Sequence, residues 1–308
     1  MRKVIGVGET ILDIIFQGNQ PRKAVPGGST FNCMISLGRC KIPALFISEL
    51  GDDRLGNFIC EFMVENNLSP DYIDLIKGCN SPISLAFLDQ QRNAEYIFYR
   101  NFPKERSQIK LPEINKNDIV IISSYYAVNP DLRRNVSLLV TEAKKQGAIV
   151  YYDINFRKTH ASQRLKLMPY FIENFGCATI VRCSDEDLET LFPGKTIDTV
   201  YREEIVPYCE NFIVTKGDKG IVLKTEELEK EYPVEVFSPV STIGAGDNFN
   251  AGLIYGIINY NYTNINHLKE EEWDKLIDLA KAFATEICGS YDNYVSIEFA
   301  QMQPEIYL

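Results

Sequence analysis

"STIGAGDNFNAGLIYGIINY", residues 241–260, packs two glycines, an alanine and an acid into Gly244–Asp247 and then turns helical. Phe249, Leu253 and Ile257 recur every four residues, and Ile254 and Ile258 fill the adjoining ridge. A glycine turn therefore opens a helix whose first turn carries the Asp247 carboxylate. Unpaired N–H groups at a helix start, together with the positive end of its dipole, attract an anion. An acid there would repel that anion unless its task is to take a proton. The amides of Gly244, Ala245 and Gly246 are candidates for an anion hole, with Asp247 as base, which are the needs of phosphoryl transfer. Alone, the stretch reads equally well as an acid-capped glycine turn. It is not a Walker loop, because no lysine and hydroxyl residue follow.

Outward from this turn, short apolar runs alternate with helical stretches. Residues 3–8, 44–48, 118–123, 148–153, 177–181 and 211–215 read as buried strands, and about 30–39, 55–66, 130–146, 163–174, 184–191 and 197–209 as helices. This alternation predicts an α/β fold with a mainly parallel central sheet covered on both faces, and ligands beyond the carboxyl ends of the strands. The rhythm breaks at 81–100, where two strand-like runs flank the polar turn "QQRN". With 11–18 they form a small antiparallel patch, either an edge hairpin or a lid. No repeat, low-complexity tract or linker divides the chain, so residues 1–308 are expected to form a single domain.

The 308 residues carry a net charge of −10, which argues against nucleic acid as a partner. Eight scattered cysteines and only two histidines make a zinc site unexpected and reduced thiols the simplest reading. The N-terminal "MRKVIGVGET" enters a strand directly, and no apolar run approaches a bilayer span, so a cytoplasmic protein without a membrane partner is expected.

Three further stretches carry polar chemistry. In "AVPGGSTFNCMISLGR" (24–39), Gly27 and Gly28 permit close backbone approach, and Ser29, Thr30 and Asn32 follow at a helix start. Asn32 both donates and accepts, which suits a polyhydroxyl ligand, although plain capping gives the same pattern. In "YYDINFR" (151–157), Asp153, Asn155 and Arg157 alternate at a strand end where side chains face ligands; Arg157 suits a phosphate or carboxylate. In "VTKGDKG" (214–220), a strand enters a glycine-rich turn that reads equally as a hairpin.

Together the four stretches resemble the ribokinase-like, or PfkB, carbohydrate kinases. "STIGAGDNFNAG" is similar to that family's C-terminal signature, Asp-Thr-x-Gly-Ala-Gly-Asp. "PGGSTFN" resembles its Gly-Gly…Asn element, "VTKGDKG" its Thr-x-Gly segment and "RCSDEDL" (182–188) its Lys-Pro-Asn-x-x-Glu-Leu stretch. The resemblance runs in order from Gly6 to about Gly289. It implies a ribokinase-like three-layer α/β/α fold with a nine-stranded or similar core and a β lid. It further implies ATP-dependent phosphorylation of a sugar hydroxyl with magnesium. By this match Asp247 is the base and Asp13, Gly28 and Asn32 contact the sugar; Gly27, Asp153, Asn155 and Arg157 join the sugar side on the residue reading above. Ser184, Thr215, Lys216, Gly217, Gly220 and Lys281 belong to the nucleotide side, and Asp187 is a magnesium ligand through water.

Three positions depart from the pattern. Ser241 replaces an acid that helps bind an activating monovalent cation in many members, so potassium activation is not carried over. Ser184 and Asp187 replace Asn and Glu, and Lys281 falls where an Asn is expected at the adenine end, leaving the nucleotide open. The texture of "GETILDII", "FYR" and "DINFR" is most like fructokinases and 2-keto-3-deoxygluconate kinases, which differ in whether a substrate carboxylate needs a cation such as Arg157, Arg100 or Arg22. Fructose is favoured. A ribokinase, a nucleoside kinase and a non-catalytic sugar or nucleotide sensor are the alternatives. The resemblance also suggests a homodimer through the lid.

Overall fold

In the computed structural model, residues 2–88, 94–103, 110–235 and 238–304 are described. The turn 90–93 expected at the lid tip lies outside them. The strands in chain order are β1 (Val4–Val7), β2 (Ile11–Gln17), β3 (Gln20–Gly27), β4 (Ala44–Gly51), β5 (Ile73–Ile76), β6 (Ile83–Leu88), β7 (Ala94–Tyr99), β8 (Ile119–Ser123), β9 (Ile149–Asp153), β10 (Ile180–Ser184), β11 (Asn211–Thr215), β12 (Ile221–Lys224) and β13 (Glu229–Tyr232).

Nine of them form one sheet in the order β13-β12-β11-β10-β9-β8-β1-β4-β5. Its pairings from β5 to β11 are parallel, and only β12 and β13 are antiparallel. The strands are apolar throughout because both faces are covered. Ile119, Ile121, Ile149 and Tyr151 enter one core with the helices Ser29–Arg39, Ala245–Asn259 and Glu270–Cys288. Their neighbours Val120, Ile122, Val150 and Tyr152 enter the other with the helices Arg133–Gln146 and Arg164–Cys177. Successive side chains of one strand thus stock two helical layers.

The remaining four strands form a second sheet, β3-β2-β6-β7. Its centre differs from expectation: β2 and β6 run parallel, and only the flanking pairs β2–β3 and β6–β7 are antiparallel. The edge strands β3, β5 and β13 escape the sequence reading, β3 and β13 because they are largely polar and lack an apolar run. Strand β12, short but apolar and interior to the sheet, was missed although its apolar run 221–223 was available. Strand β10 starts three residues later than expected, since Cys177 still belongs to the preceding helix. The helix expected over 197–209 is a short α-helix, Ile197–Val200, passing into a wider π turn, Tyr201–Ile205. Among the described residues no helix is long and apolar enough to cross a membrane.

Candidate active site

Two helix starts converge where the sheet ends. Gly28 precedes the helix Ser29–Arg39 with φ 129°, and a side chain there would meet the Glu9 carbonyl oxygen at 2.1 Å. Gly244 precedes the helix Ala245–Asn259 with φ 78°, and a Cβ would approach the Asn293 carbonyl oxygen to 2.8 Å. Both conformations disfavour any residue but glycine. Asp247 lies between the two starts. Its Oδ1 accepts from Ser29 Oγ and its Oδ2 from Asn32 Nδ2, each at 2.7 Å. Burial pushes the carboxyl up to about 6, outweighing these two hydrogen bonds. The result is a fixed acid poised to exchange a proton near neutral pH.

The turn itself corrects one expectation. The Ala245 amide turns back to the Thr242 carbonyl at 3.2 Å, whereas the Gly244, Gly246 and Asp247 amides have no protein acceptor among the described residues. The open amides of the turn are thus those of Gly244, Gly246 and Asp247, while the Ala245 amide shapes the turn. Ser241, where an acid was expected by resemblance, is buried and accepts from the Ile243 amide at 3.1 Å. Its hydroxyl thus helps shape the turn.

The lid contributes Asp13, which is 5% exposed on the inner face of β2. It accepts from Ser84 Oγ and, at 3.0 Å, from Asn293 Nδ2. Burial pushes its carboxyl up to about 6 as well. Gly27 runs against this carboxylate, leaving no room for a side chain. Asn32 keeps its Oδ1 buried and unpartnered among the described residues. Asn155 sits just beyond β9 with φ 36°, and the Arg157 guanidinium lies 5.9 Å over the Tyr96 ring of the lid.

Asp153 is a correction. It was expected to face ligand, yet it is wholly buried. Its Oδ1 accepts from Arg182 Nη1 at 3.0 Å and its Oδ2 from Asn250 Nδ2 at 2.8 Å, so both oxygens serve the protein. Its partner Arg182 was overlooked, although a charge inside the apolar run "ATIVRCS" was the available signal. Ser123, at the end of β8, was overlooked too. Its hydroxyl lies 2.9 Å from Ser29 Oγ and donates weakly to Asp153.

Ser184 and Thr215, expected on the nucleotide side, end β10 and β11 side by side. Ser184 Oγ caps the helix Asp185–Leu191, and Asp187 Oδ2 returns a bond to the Ser184 amide at 2.9 Å. This capping box is a structural use that the resemblance did not predict for Asp187. Lys216 and Gly220 close the turn into β12 through a 2.8 Å backbone bond, with Gly217 at φ 59° between them. The hairpin reading of this stretch is what the backbone shows. Lys281 stands apart, paired with Asp278 at 3.0 Å on the helix Glu270–Cys288.

Residues 1–299 match the model of the pfkB family carbohydrate kinases. The chain belongs to that family. It is therefore an ATP-dependent carbohydrate kinase. A probable fructokinase-2 of Arabidopsis thaliana is 25% identical over 281 residues, 87% of this chain and 84% of the relative. Fructokinase-1 of Zea mays is 26% identical, with 93% and 90% covered. Among solved structures, a fructokinase from Vibrio cholerae O395 bound to fructose, ADP and potassium superposes with a TM-score of 0.84 at 20% identity, covering 96% of this chain and 95% of the other. The aminoimidazole riboside kinase of Salmonella enterica gives 0.81 at 20% identity, with 97% and 99% covered. These structures establish the ribokinase-like fold of this carbohydrate kinase.

Proposed function

We propose that this kinase transfers the γ-phosphoryl group of ATP to a hydroxyl of a neutral ketose, fructose, with Asp247 as base. The observation that carries the reading is the Asp247 carboxylate, held by Ser29 and Asn32 beside the open amides of the turn. The sugar hydroxyl gives its proton to Asp247 as its oxygen bonds to phosphorus, and the bond from phosphorus to the β-phosphate oxygen breaks. Charge gathering on the transferring group meets the amides of Gly244, Gly246 and Asp247. Asp13 accepts from other sugar hydroxyls, and Asn32 Oδ1 offers one more acceptor. A neutral sugar is favoured because Arg100 is already paired to Glu9 at 2.7 Å. Arg157 lies within electrostatic reach of Asp187, Asp247 and Asp153, which offset its charge.

Thr215, Gly217 and Ser184 flank the nucleotide phosphates in this reading. Among the described residues no cluster of three ligating side chains exists to cage a metal. That fits magnesium, which keeps its waters and binds through few carboxylates and substrate phosphates. Asp187 would hold it through water, and the ion would neutralise phosphate charge when bound. All eight cysteines are unpaired, in keeping with a cytoplasmic setting.

The test is ATP consumption with fructose, ribose, 2-keto-3-deoxygluconate and nucleosides, with and without potassium. Fructose is expected to be the strong acceptor, with turnover lost in Asp247→Asn while sugar binding persists. Preference for 2-keto-3-deoxygluconate would transfer the reading to an acidic sugar. Sugar binding with no turnover of any acceptor would replace it by a sensor.

A further inference from the structure

We infer that Arg182 is a positioning residue of phosphoryl transfer: its guanidinium forms the floor of the anion-binding turn and ties that turn to the nucleotide strand. The inference rests on the site reading above, in which the Gly244–Asp247 turn receives the transferring group.

Arg182 sits within β10 and is 5% exposed, among residues that are otherwise apolar. Its two terminal nitrogens crowd Gly246, where a Cβ would stand 3.0 Å from each. Nη1 donates to Asp153 Oδ1 at 3.0 Å and Nη2 to Thr215 Oγ1 at 2.5 Å. The ring of Phe249, from the first turns of the helix Ala245–Asn259, lies 5.7 Å from the guanidinium carbon. One side chain therefore touches the end of β9, the end of β11 and the glycine of the turn.

A buried ion pair is a poor device for stability, because desolvation offsets its attraction. An arginine enclosed in a sheet therefore calls for another role. Here it supplies a rigid fork that neither lysine nor an apolar residue reproduces. The contact with Gly246 fixes the direction of the turn amides. The bond to Thr215 sets the distance between those amides and the strand that carries the nucleotide segment. A buried permanent positive charge also lies beside Gly246 of the turn that, in the site reading above, receives the transferring group. Such fixed charge costs no reorganisation during reaction. Asp153 balances the charge, accepting from Arg182 Nη1 and from Asn250 Nδ2.

The test compares Arg182→Lys and the double variant Asp153→Asn/Arg182→Met with the wild type and Asp247→Asn. The double variant leaves no orphan charge, and Arg182→Lys keeps a cation for Asp153, so the role can be read in a folded protein from either. Three quantities are measured: kcat, sugar KM, and affinity for ADP with aluminium fluoride, a mimic of the transferring phosphoryl group. The expected result is a fall in kcat on the order of 10²-fold in the double variant, the loss typical of one anion-hole donor. Arg182→Lys is expected between it and the wild type. Sugar KM stays unchanged while the aluminium fluoride complex weakens in parallel with kcat. A merely structural role would weaken sugar and mimic binding together, and that outcome overturns the inference. So does wild-type kcat in both Arg182 variants while Asp247→Asn is inactive. Full turnover in Asp247→Asn would instead overturn the site reading itself.

Discussion

At the scale of single residues, proton affinity is set by competition between burial and hydrogen bonding. Asp247 is raised to about 6 even with Ser29 and Asn32 donating to it, so desolvation prevails. As a base it must be ionised in the free enzyme, so kcat/KM should fall as pH drops through about 6 and be full above it. Ser29→Ala removes one bond that favours the carboxylate. Its acid limb is expected at higher pH than the wild type, measured as kcat/KM against pH at saturating ATP. A limb that stays in place would mean that Ser29 does not control the base. The turn and its acid were legible in the sequence because two glycines and Asp247 stand together at a helix start, although the stretch alone equally allowed plain capping. Arg182 and Asn293 were not, since their roles depend on partners far along the chain. Asn293 meets Asp13 across 280 positions, and no local pattern encodes that pairing.

At the scale of elements, the strand–helix alternation was legible because strands buried on both faces read as continuous apolar runs. Edge strands read poorly for the converse reason, as the polar β13 illustrates. The β10-to-helix junction shows one residue pair serving two ends. Ser184 and Asp187 cap each other's backbone, so removing either affects helix stability. Ser184→Ala is expected to cost about 1 kcal/mol by denaturant unfolding, the usual value of such a cap. If Asp187 also holds the water shell of magnesium, Asp187→Asn should raise the magnesium concentration needed for half-maximal turnover, while Ser184→Ala leaves it nearly unchanged. Equal shifts in both variants would assign the pair to capping alone.

At the scale of the whole molecule, the lid sheet has two faces of different character. Its inner face carries Asp13, Ser84, Ala86 and Tyr96 toward the site, in register across β2, β6 and β7. The outer face carries Leu12, Ile14, Phe16, Leu85, Phe87, Ile97 and Tyr99 in the alternate register, with Phe16 stacked on Phe87 at 4.9 Å. Ile97 and Tyr99 are 46% and 54% exposed. An apolar sheet face of this extent normally has a partner. A second copy of the same lid meets that need with a self-complementary surface, the usual geometry of a symmetric dimer. Sedimentation velocity at micromolar concentration is therefore expected to give a dimer, and Leu85→Asp with Ile97→Asp a monomer. Both positions lie on the face away from Asp13, so the folded monomer keeps its base and its turn. Its sugar KM should rise more than its kcat falls, because the lid would lose the support that holds Asp13 over the sugar. A wild-type monomer would leave the outer face without this role, and an unchanged sugar KM in the monomeric variant would separate dimerisation from sugar binding.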